Sequence, residues 1–476
     1  MRVSTFAAST ATRLPRAFPA PDTAALPDSL ALLAARYGSG APAVLEQLRR
    51  THDCSAPIRL AGERVTVDRE TGEILARYGS DQEPSGYALL PCGNRRASRC
   101  PACSKLYRGD AFALIRAGLA GDEAKGVPAE LAGHPRVFVT FTAPSFGPVH
   151  GRVVRAGRVL PCRARRDHPV CSHGLPTWCA LRHAENDPAL GQPLCPECFD
   201  YEAAVLWNAH VPALWRRTIT YLPRILAAEL GVSRTALRET ARISFAKVAE
   251  FQSRGLVHLH AIFRIDGPDQ GSAAPPWATS ELLADVVAQA VARTSLRIEG
   301  PAGAEMELRW GVQFDVRAIQ PGTEGEWSEA RVAAYVAKYA TKAAESAGGP
   351  DRRLRSPYEI ERLAVTDHAR RLITTCWTLG GLAQYEHLRL RAWAHMLGFR
   401  GHFLTKGRRY SVTFGALRTA RVRYRTNLAM IARGLNGGDE YDEASTLVIG
   451  HFAFAGVGMG FMSELAAAGG PGGLAP

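Results

Sequence analysis

Apolar and polar residues alternate along Arg136-Val-Phe-Val-Thr-Phe-Thr142 and the run stops before Pro144, which predicts a strand. Ile243–Phe251 and Leu256–Ile265 predict two more strands, joined by the turn Gln252-Ser-Arg-Gly255, and Met306–Ala318 predicts a fourth. Shorter strand signals, Ile58-Arg-Leu60 and Arg64-Val-Thr-Val-Asp68, are punctuated by glycine. Helical periodicity marks Ala111–Leu119, a long segment Tyr201–Leu230, Ser280–Thr294 and Ser328–Ala344, with a short helix near Asp28–Arg36. Between 150 and 200 the chain is rich in Cys, His, Pro and Arg and shows little periodicity. Gly348–Pro357 reads as a linker and Ala466–Pro476 as a Gly-rich tail.

Composition changes this picture in one direction. Across 476 residues, 58 Lys+Arg stand against 45 Asp+Glu, a net charge of +13. That balance suits a polyanionic partner such as nucleic acid, although an Arg-rich proteome gives the same excess. Residues 1–20 lack an uninterrupted apolar stretch of the export type, and Leu447–Met462 is Gly-rich and too short to span a bilayer comfortably. The expectation is a cytoplasmic protein without membrane association, whose ten cysteines do not form structural disulfides and whose paired cysteine spacings suggest metal.

His258-Leu-His260 lies inside an apolar strand, where residues i and i+2 share a face, so the two imidazoles project together and Leu259 faces the other layer. Folding the hairpin brings Glu250 beside them. Two imidazoles and a carboxylate with open positions suit Mg²⁺ or Mn²⁺ acting as a Lewis acid. The same pattern fits an ordinary half-buried strand whose histidines bond to neighbours.

The second motif is Arg331-Val-Ala-Ala-Tyr-Val-Ala-Lys-Tyr-Ala-Thr-Lys342, a strong helix former with Glu324, Glu326 and Glu329 near its start. Tyr335 and Tyr339 are four apart and share a face, with Cβ atoms about 5–6 Å apart. Lys338 and Lys342 follow each tyrosine at i+3. A phenol ionises near pH ~10, so a metal and a lysine that stabilise the developing charge would make it competent to attack phosphorus. A helix packing two aromatics on its apolar side has the same spelling.

Taken together, Glu250-Phe-Gln-Ser-Arg-Gly-Leu-Val-His-Leu-His260 and Tyr335-x3-Tyr339 resemble the HUH endonuclease superfamily, and Phe138-Val-Thr-Phe-Thr142 looks like its first motif. Within it the chain is most similar to replication initiators of the RepSA type, from actinobacterial plasmids and integrative conjugative elements. Cys92-Gly-Asn-Arg-Arg96, Cys100-Pro-Ala-Cys103, Phe141–Gly147, Leu194–Cys198, Trp207–His210 and Leu397–Lys406 carry that likeness over about Cys54 to Lys406. The motif wording is also similar to that of Helitron-type transposases. The resemblance implies an α+β fold, a central antiparallel sheet flanked by helices, with Glu250, His258 and His260 as metal ligands and the two tyrosines as nucleophiles. It further implies rolling-circle initiation, in which a tyrosine nicks single-stranded origin DNA and keeps the 5′ phosphate while host polymerase extends the 3′ hydroxyl.

Cys54, Cys92, Cys100 and Cys103 can supply four thiolates to one Zn²⁺. A second zinc is expected from Cys162, Cys171, Cys195 and Cys198, with His173, Cys179 and His183 as competing ligands. Arg95, Arg96, Arg163, Arg165 and Arg166 could be presented to DNA by these sites. From Glu386 to Arg425 ten Lys/Arg stand against one acidic residue, with Trp393, Phe399, Phe403, Tyr410, Phe414 and Tyr424 available for stacking on bases or for a buried core. No Gly-x4-Gly-Lys-Ser/Thr loop occurs, so strand separation falls to a host helicase or a supercoiled origin. The expected organisation is a flexible segment 1–50, a zinc-binding segment 51–130, a nuclease domain 131–346 with its insertion at 150–200, a helical basic DNA-binding region 347–465 and a disordered tail 466–476. A transposase or conjugative relaxase would use the same site, and a non-catalytic zinc-stabilised regulator would use the site positions only for packing.

Overall fold

The structure is a computed structural model; it describes residues 33–321, 327–342, 344–432 and 446–459. Most of the expected helix Asp28–Arg36, the glutamates at 324 and 326, and the tail 466–476 lie outside the described residues. The chain divides into two compact units, Met1–Cys92 with Tyr441–Pro476, and Gly93–Glu440. Both are built from helices and antiparallel sheets, an α+β architecture. Among the described residues no helix is long and apolar enough to cross a membrane.

In the smaller unit, the strand Ile58–Asp68 runs antiparallel between Ile74–Gly79 and Thr446–Val457, and Ala88–Leu90 pairs with its first residues. The strand at 446–457 departs from the expected helical C-terminal region: the apolar stretch noted late in the sequence returns to pair along the whole of the first strand. Ala41–Arg50 forms a helix within the segment expected to be flexible. Its Gln47 is buried and donates to the Tyr87 carbonyl at 2.7 Å, which ties it down.

The larger unit is organised by a five-stranded sheet of β1 (Arg136–Phe141), β2 (Arg242–Phe251), β3 (Val257–Asp266), β4 (Asp315–Ala318) and β5 (Leu404–Lys406). Its spatial order is β4-β1-β3-β2-β5, antiparallel throughout. The expected single strand over Met306–Ala318 is two: Glu305–Arg309 pairs with Ser295–Glu299, and β4 pairs with β1. The break falls at Gly311, which packs so closely on the Ala143 backbone that a Cβ there would sit 2.5 Å from its carbonyl oxygen.

Strand alternation sends neighbouring residues into two cores. Val137, Val139, Phe141, Leu259, Ala261 and Phe263 face a layer built on the helices α2 (Tyr201–Glu229), α3 (Ser280–Arg293) and α5 (Asp367–Leu379). Phe138, Val248 and Ile262 face the other layer, where α1 (Pro101–Ala120) and α4 (Glu329–Ala340) pack. Arg136, 1 % exposed at the edge of that second layer, bonds to the Leu119 and Leu131 carbonyls and to Glu329 in the first turn of α4. The charge pair fixes α4 against the sheet.

The turn between β2 and β3 is held from below. The fully buried Asn208 of α2 donates to the carbonyls of Gly255 and Leu397, both at 2.9 Å, and accepts from the Val257 amide at 3.0 Å. Arg254 donates to the Ala143 and Pro144 carbonyls at 3.0 Å, and Gly255 takes a φ of 77° that favours glycine. Each buried group left without a partner costs about 1–3 kcal/mol. Asn208→Leu is therefore expected to lower stability by roughly 3 kcal/mol or more, measured by urea unfolding; a midpoint within error of wild type would show that Asn208 does not hold the turn.

Candidate functional site

The register of β2 against β3 places Glu250 directly opposite His258, and Val248 opposite His260. Residues paired across an antiparallel ladder share a face, so the carboxylate and both imidazoles project together toward α1 and α4. Leu259 projects into the opposite core. The two imidazole centroids lie 4.6 Å apart, and Glu250 Oε2 is 3.5 Å from His260 Nε2. The Thr140 hydroxyl of β1 reaches His260 Nδ1 at 3.3 Å, and Phe138 stacks on the same ring at 5.6 Å. His260 is thereby fixed on three sides.

The helix α4 delivers its tyrosines onto this face. Val332, Ala333, Val336, Ala337 and Ala340 are buried against the sheet, which leaves Tyr335 and Tyr339 along the edge that meets the histidines. Their rings are 4.6 Å apart; Tyr335 lies 5.0 Å and Tyr339 5.4 Å from the His260 ring. The Tyr335 hydroxyl is 3.4 Å from His260 Nε2. Lys342 contacts Glu250 at 3.3 Å and sits over the Tyr339 ring at 4.7 Å, while Lys338 is 5.9 Å from that ring. Thus all seven residues singled out from the two motifs meet at one place.

Burial sets the electrostatics. The His258 imidazole is pushed down to about 3 by burial, with His260 and Arg254 adding repulsion, so it is neutral at physiological pH. Its Nδ1 is buried without a hydrogen-bond partner. The Tyr335 phenol is raised above its ordinary value by burial, by its bond to Tyr339 and by the charges of Tyr339 and Glu250. A cation between Glu250 and the phenols would work against that last contribution.

Two arginines expected to face DNA are structural instead. Arg95 lies over the Phe403 ring at 3.7 Å and donates to the carbonyls of Ala340 and Lys342 at the end of α4. Burial lowers its guanidinium to about 10. Arg96 pairs with Glu345 at 2.8 Å and bonds to the Asp351 carbonyl. Neither role has a signature in the sequence. Arg163, Arg165 and Arg166 are exposed, Arg165 in an ion pair with Asp167 at 2.8 Å. Among the aromatics of the basic region, Phe399 and Phe403 belong to the main core and Tyr410 is fully buried beneath Arg264. The reason is topological: β5 joins the sheet at Leu404–Lys406 and carries its flanking aromatics inward. Trp393 and Phe414 are half-buried and Tyr424 is 63 % exposed.

Of the two expected cysteine sets, the one in the insertion sorts differently. Cys54 and Cys92 meet in the smaller unit, where the Cys92 amide donates to Cys54 Sγ at 3.2 Å. In the larger unit Cys100 caps α1 and accepts the Cys103 amide at 3.4 Å. Within the insertion, Cys171, Cys195 and Cys198 converge as expected, but their fourth partner is His173, whose Nδ1 is 3.3 Å from Cys198 Sγ and 3.7 Å from Cys195 Sγ. Cys162 lies elsewhere. The hairpin Val153–Arg155/Arg158–Leu160 turns the chain back, and the Cys162 amide bonds to the Leu181 carbonyl, beside Cys179 and His183.

No solved structure matches the chain. A protein of Streptomyces ambofaciens described as "Replication initiator protein" is 46% identical over 418 residues, covering 87% of this chain and 86% of that one. The family model RepSA, described as "Replication initiator protein, pSAM2", matches residues 40–468. With a sheet, a hairpin and a tyrosine helix already placed by its own residues, the chain belongs to the RepSA family of replication initiator proteins.

Proposed function

We propose that this replication initiator is an HUH-type endonuclease and strand transferase, which nicks and rejoins single-stranded plasmid origin DNA to start and end rolling-circle replication. The observation that supports it most directly is the meeting of Glu250, His258 and His260 with Tyr335 and Tyr339, two tyrosines within 5.4 Å of one imidazole ring. A divalent cation fits this donor set: one carboxylate, a neutral imidazole with an orphaned buried nitrogen, and a second imidazole oriented by Thr140. Mg²⁺ or Mn²⁺ held by Glu250, His258 and His260 would supply Lewis-acid polarisation of the scissile phosphate.

The chain's own groups do the rest. The oxygen of one tyrosine attacks phosphorus, forming the P–O(Tyr) bond and breaking P–O3′; the departing 3′ oxygen takes up a proton and the 5′ phosphate stays on the enzyme. Lys342, and Lys338 on the exposed side of the helix, lie where an ammonium can stabilise the phosphate charge. The second tyrosine stands ready for the reverse attack that reseals the circle. Cys54 with Cys92, Cys100 with Cys103, and the group Cys171, His173, Cys195 and Cys198 are assigned to structural zinc. Origin DNA is the partner in this reading, with strand opening and extension left to a host helicase and polymerase.

The decisive assay incubates the protein with Mn²⁺ and end-labelled single-stranded origin DNA and resolves covalent adducts on a denaturing gel. Tyr335→Phe with Tyr339→Phe, and separately His258→Ala, should abolish the adduct, as should EDTA; an undiminished adduct in the double tyrosine variant would refute the mechanism. Lys342→Met should slow single-turnover cleavage by roughly 10²–10³-fold, the usual loss on removing one charge-stabilising donor. A rate within threefold of wild type would remove Lys342 from the proposed machinery.

A further inference from the structure

The insertion carries a convergence that neither the motifs nor the nuclease reading uses. His150, Cys162, Cys179 and His183 bring four ligand atoms within 4.8 Å of one another, separately from the Cys171 group. His150 Nδ1 is 3.2 Å from His183 Nε2 and 4.0 Å from Cys162 Sγ, and Cys179 Sγ is 3.6 Å from His183 Nε2. A tetrahedral zinc with bonds of about 2.0–2.1 Å to nitrogen and 2.3 Å to sulfur sets edges of roughly 3.3 Å between nitrogens and 3.6 Å between nitrogen and sulfur. The His150–His183 and Cys179–His183 edges already match, and the His150–Cys162 edge is longer by about 0.4 Å.

Two further contacts match what a ligand set requires. His183 Nδ1 bonds to Asp187 Oδ2 at 2.7 Å, which fixes the ring and directs its other nitrogen at the two cysteines and His150, the carboxylate–histidine arrangement common around zinc. The Gly151 amide donates to Cys162 Sγ at 3.2 Å, as it would to a thiolate. His183 and Cys179 are 2 % and 7 % exposed, so an ion there would be shielded from solvent.

We propose that His150, Cys162, Cys179 and His183 form a structural Cys₂His₂ zinc site, so that the insertion holds two ions rather than one. The site closes a loop whose ends already pair: the His150 amide bonds to the Gln192 carbonyl at 2.8 Å and the Gly191 amide to the His150 carbonyl at 2.9 Å. Gly191 in turn rests on the backbone of Ser253 and Arg254, where a Cβ would come within 2.3 Å of Ser253. The zinc would thereby brace a loop that packs on the β2–β3 turn at Ser253 and Arg254. The assignment stands independently of the nuclease chemistry.

Zinc is counted on the full-length purified protein by mass spectrometry of the metal, and its environment is read by cobalt(II) substitution. Cys179→Ser with His183→Ala should remove one equivalent of zinc, Cys195→Ser with Cys198→Ser another, and the combination two. Cobalt lost with Cys179 and His183 should carry the weaker charge-transfer band of a two-thiolate site. Unchanged zinc in the Cys179/His183 variant, or loss of only one equivalent in the combination, overturns the proposal. If that variant is insoluble, Asp187→Ala keeps all four ligands and should weaken retention of one equivalent against a chelator by roughly 10–100-fold; retention equal to wild type overturns it equally.

Discussion

The pairing of Glu250 with His258 across the β2–β3 ladder is the interaction on which the candidate site's arrangement depends. A strand has a period of two, so a slip of one residue would turn both histidines into the core that Leu259 and Ala261 now fill. The fold guards this register from several directions. The apolar face must be buried, Asn208 satisfies the turn from α2, and Arg254 ties it to the end of β1 through Ala143 and Pro144. His368 of α5 adds a bond to the Arg254 carbonyl at 3.0 Å. Three separated segments thus hold the hairpin to one register.

The tyrosine helix is placed by a different kind of force. Its small apolar residues let it lie close on the sheet, and the buried Arg136–Glu329 pair anchors its first turn. A buried pair of this sort adds little net stability but strongly disfavours any arrangement that separates the charges. It therefore specifies where α4 stands more than how firmly it is held. Packing brings the tyrosines near the histidines, and the ion pair sets their position along the sheet.

The hairpin and the tyrosine helix were legible in the sequence because their patterns are local: alternation shows which residues share a strand face, and a spacing of four shows which share a helix face. The allocation of Cys162 was not, because it depends on a hairpin at 153–160 that folds Cys162 back beside His150 and Gly151 rather than toward Cys171. His150 carried no cysteine neighbour to draw attention to it; the spacing Cys179-x3-His183 was the available signal. The basic region left two outcomes open for a related reason. Its aromatics interleave with arginine much as a base-stacking surface would, yet Phe399 and Phe403, which flank β5, enter the core while Tyr424 stays exposed, and only the sheet's topology separates the two outcomes. The carbonyl contacts of Arg95 and Arg96 were hidden in the same way, since charge says nothing about which carbonyls lie within reach.

The role of Arg95 has a consequence for how a polyanion could approach α4. A helix gathers partial negative charge at its C-terminus, where the last carbonyls point outward without partners. In this chain that end carries Lys338 and Lys342, so the backbone alone would repel an anion that the two ammonium groups would attract. By donating to the carbonyls of Ala340 and Lys342, the Arg95 guanidinium offsets that pole from beneath. The cysteine-rich segment around Cys100 and the tyrosine helix are then electrostatically one object, and the field at the helix end is set by a residue that no strand of DNA need touch.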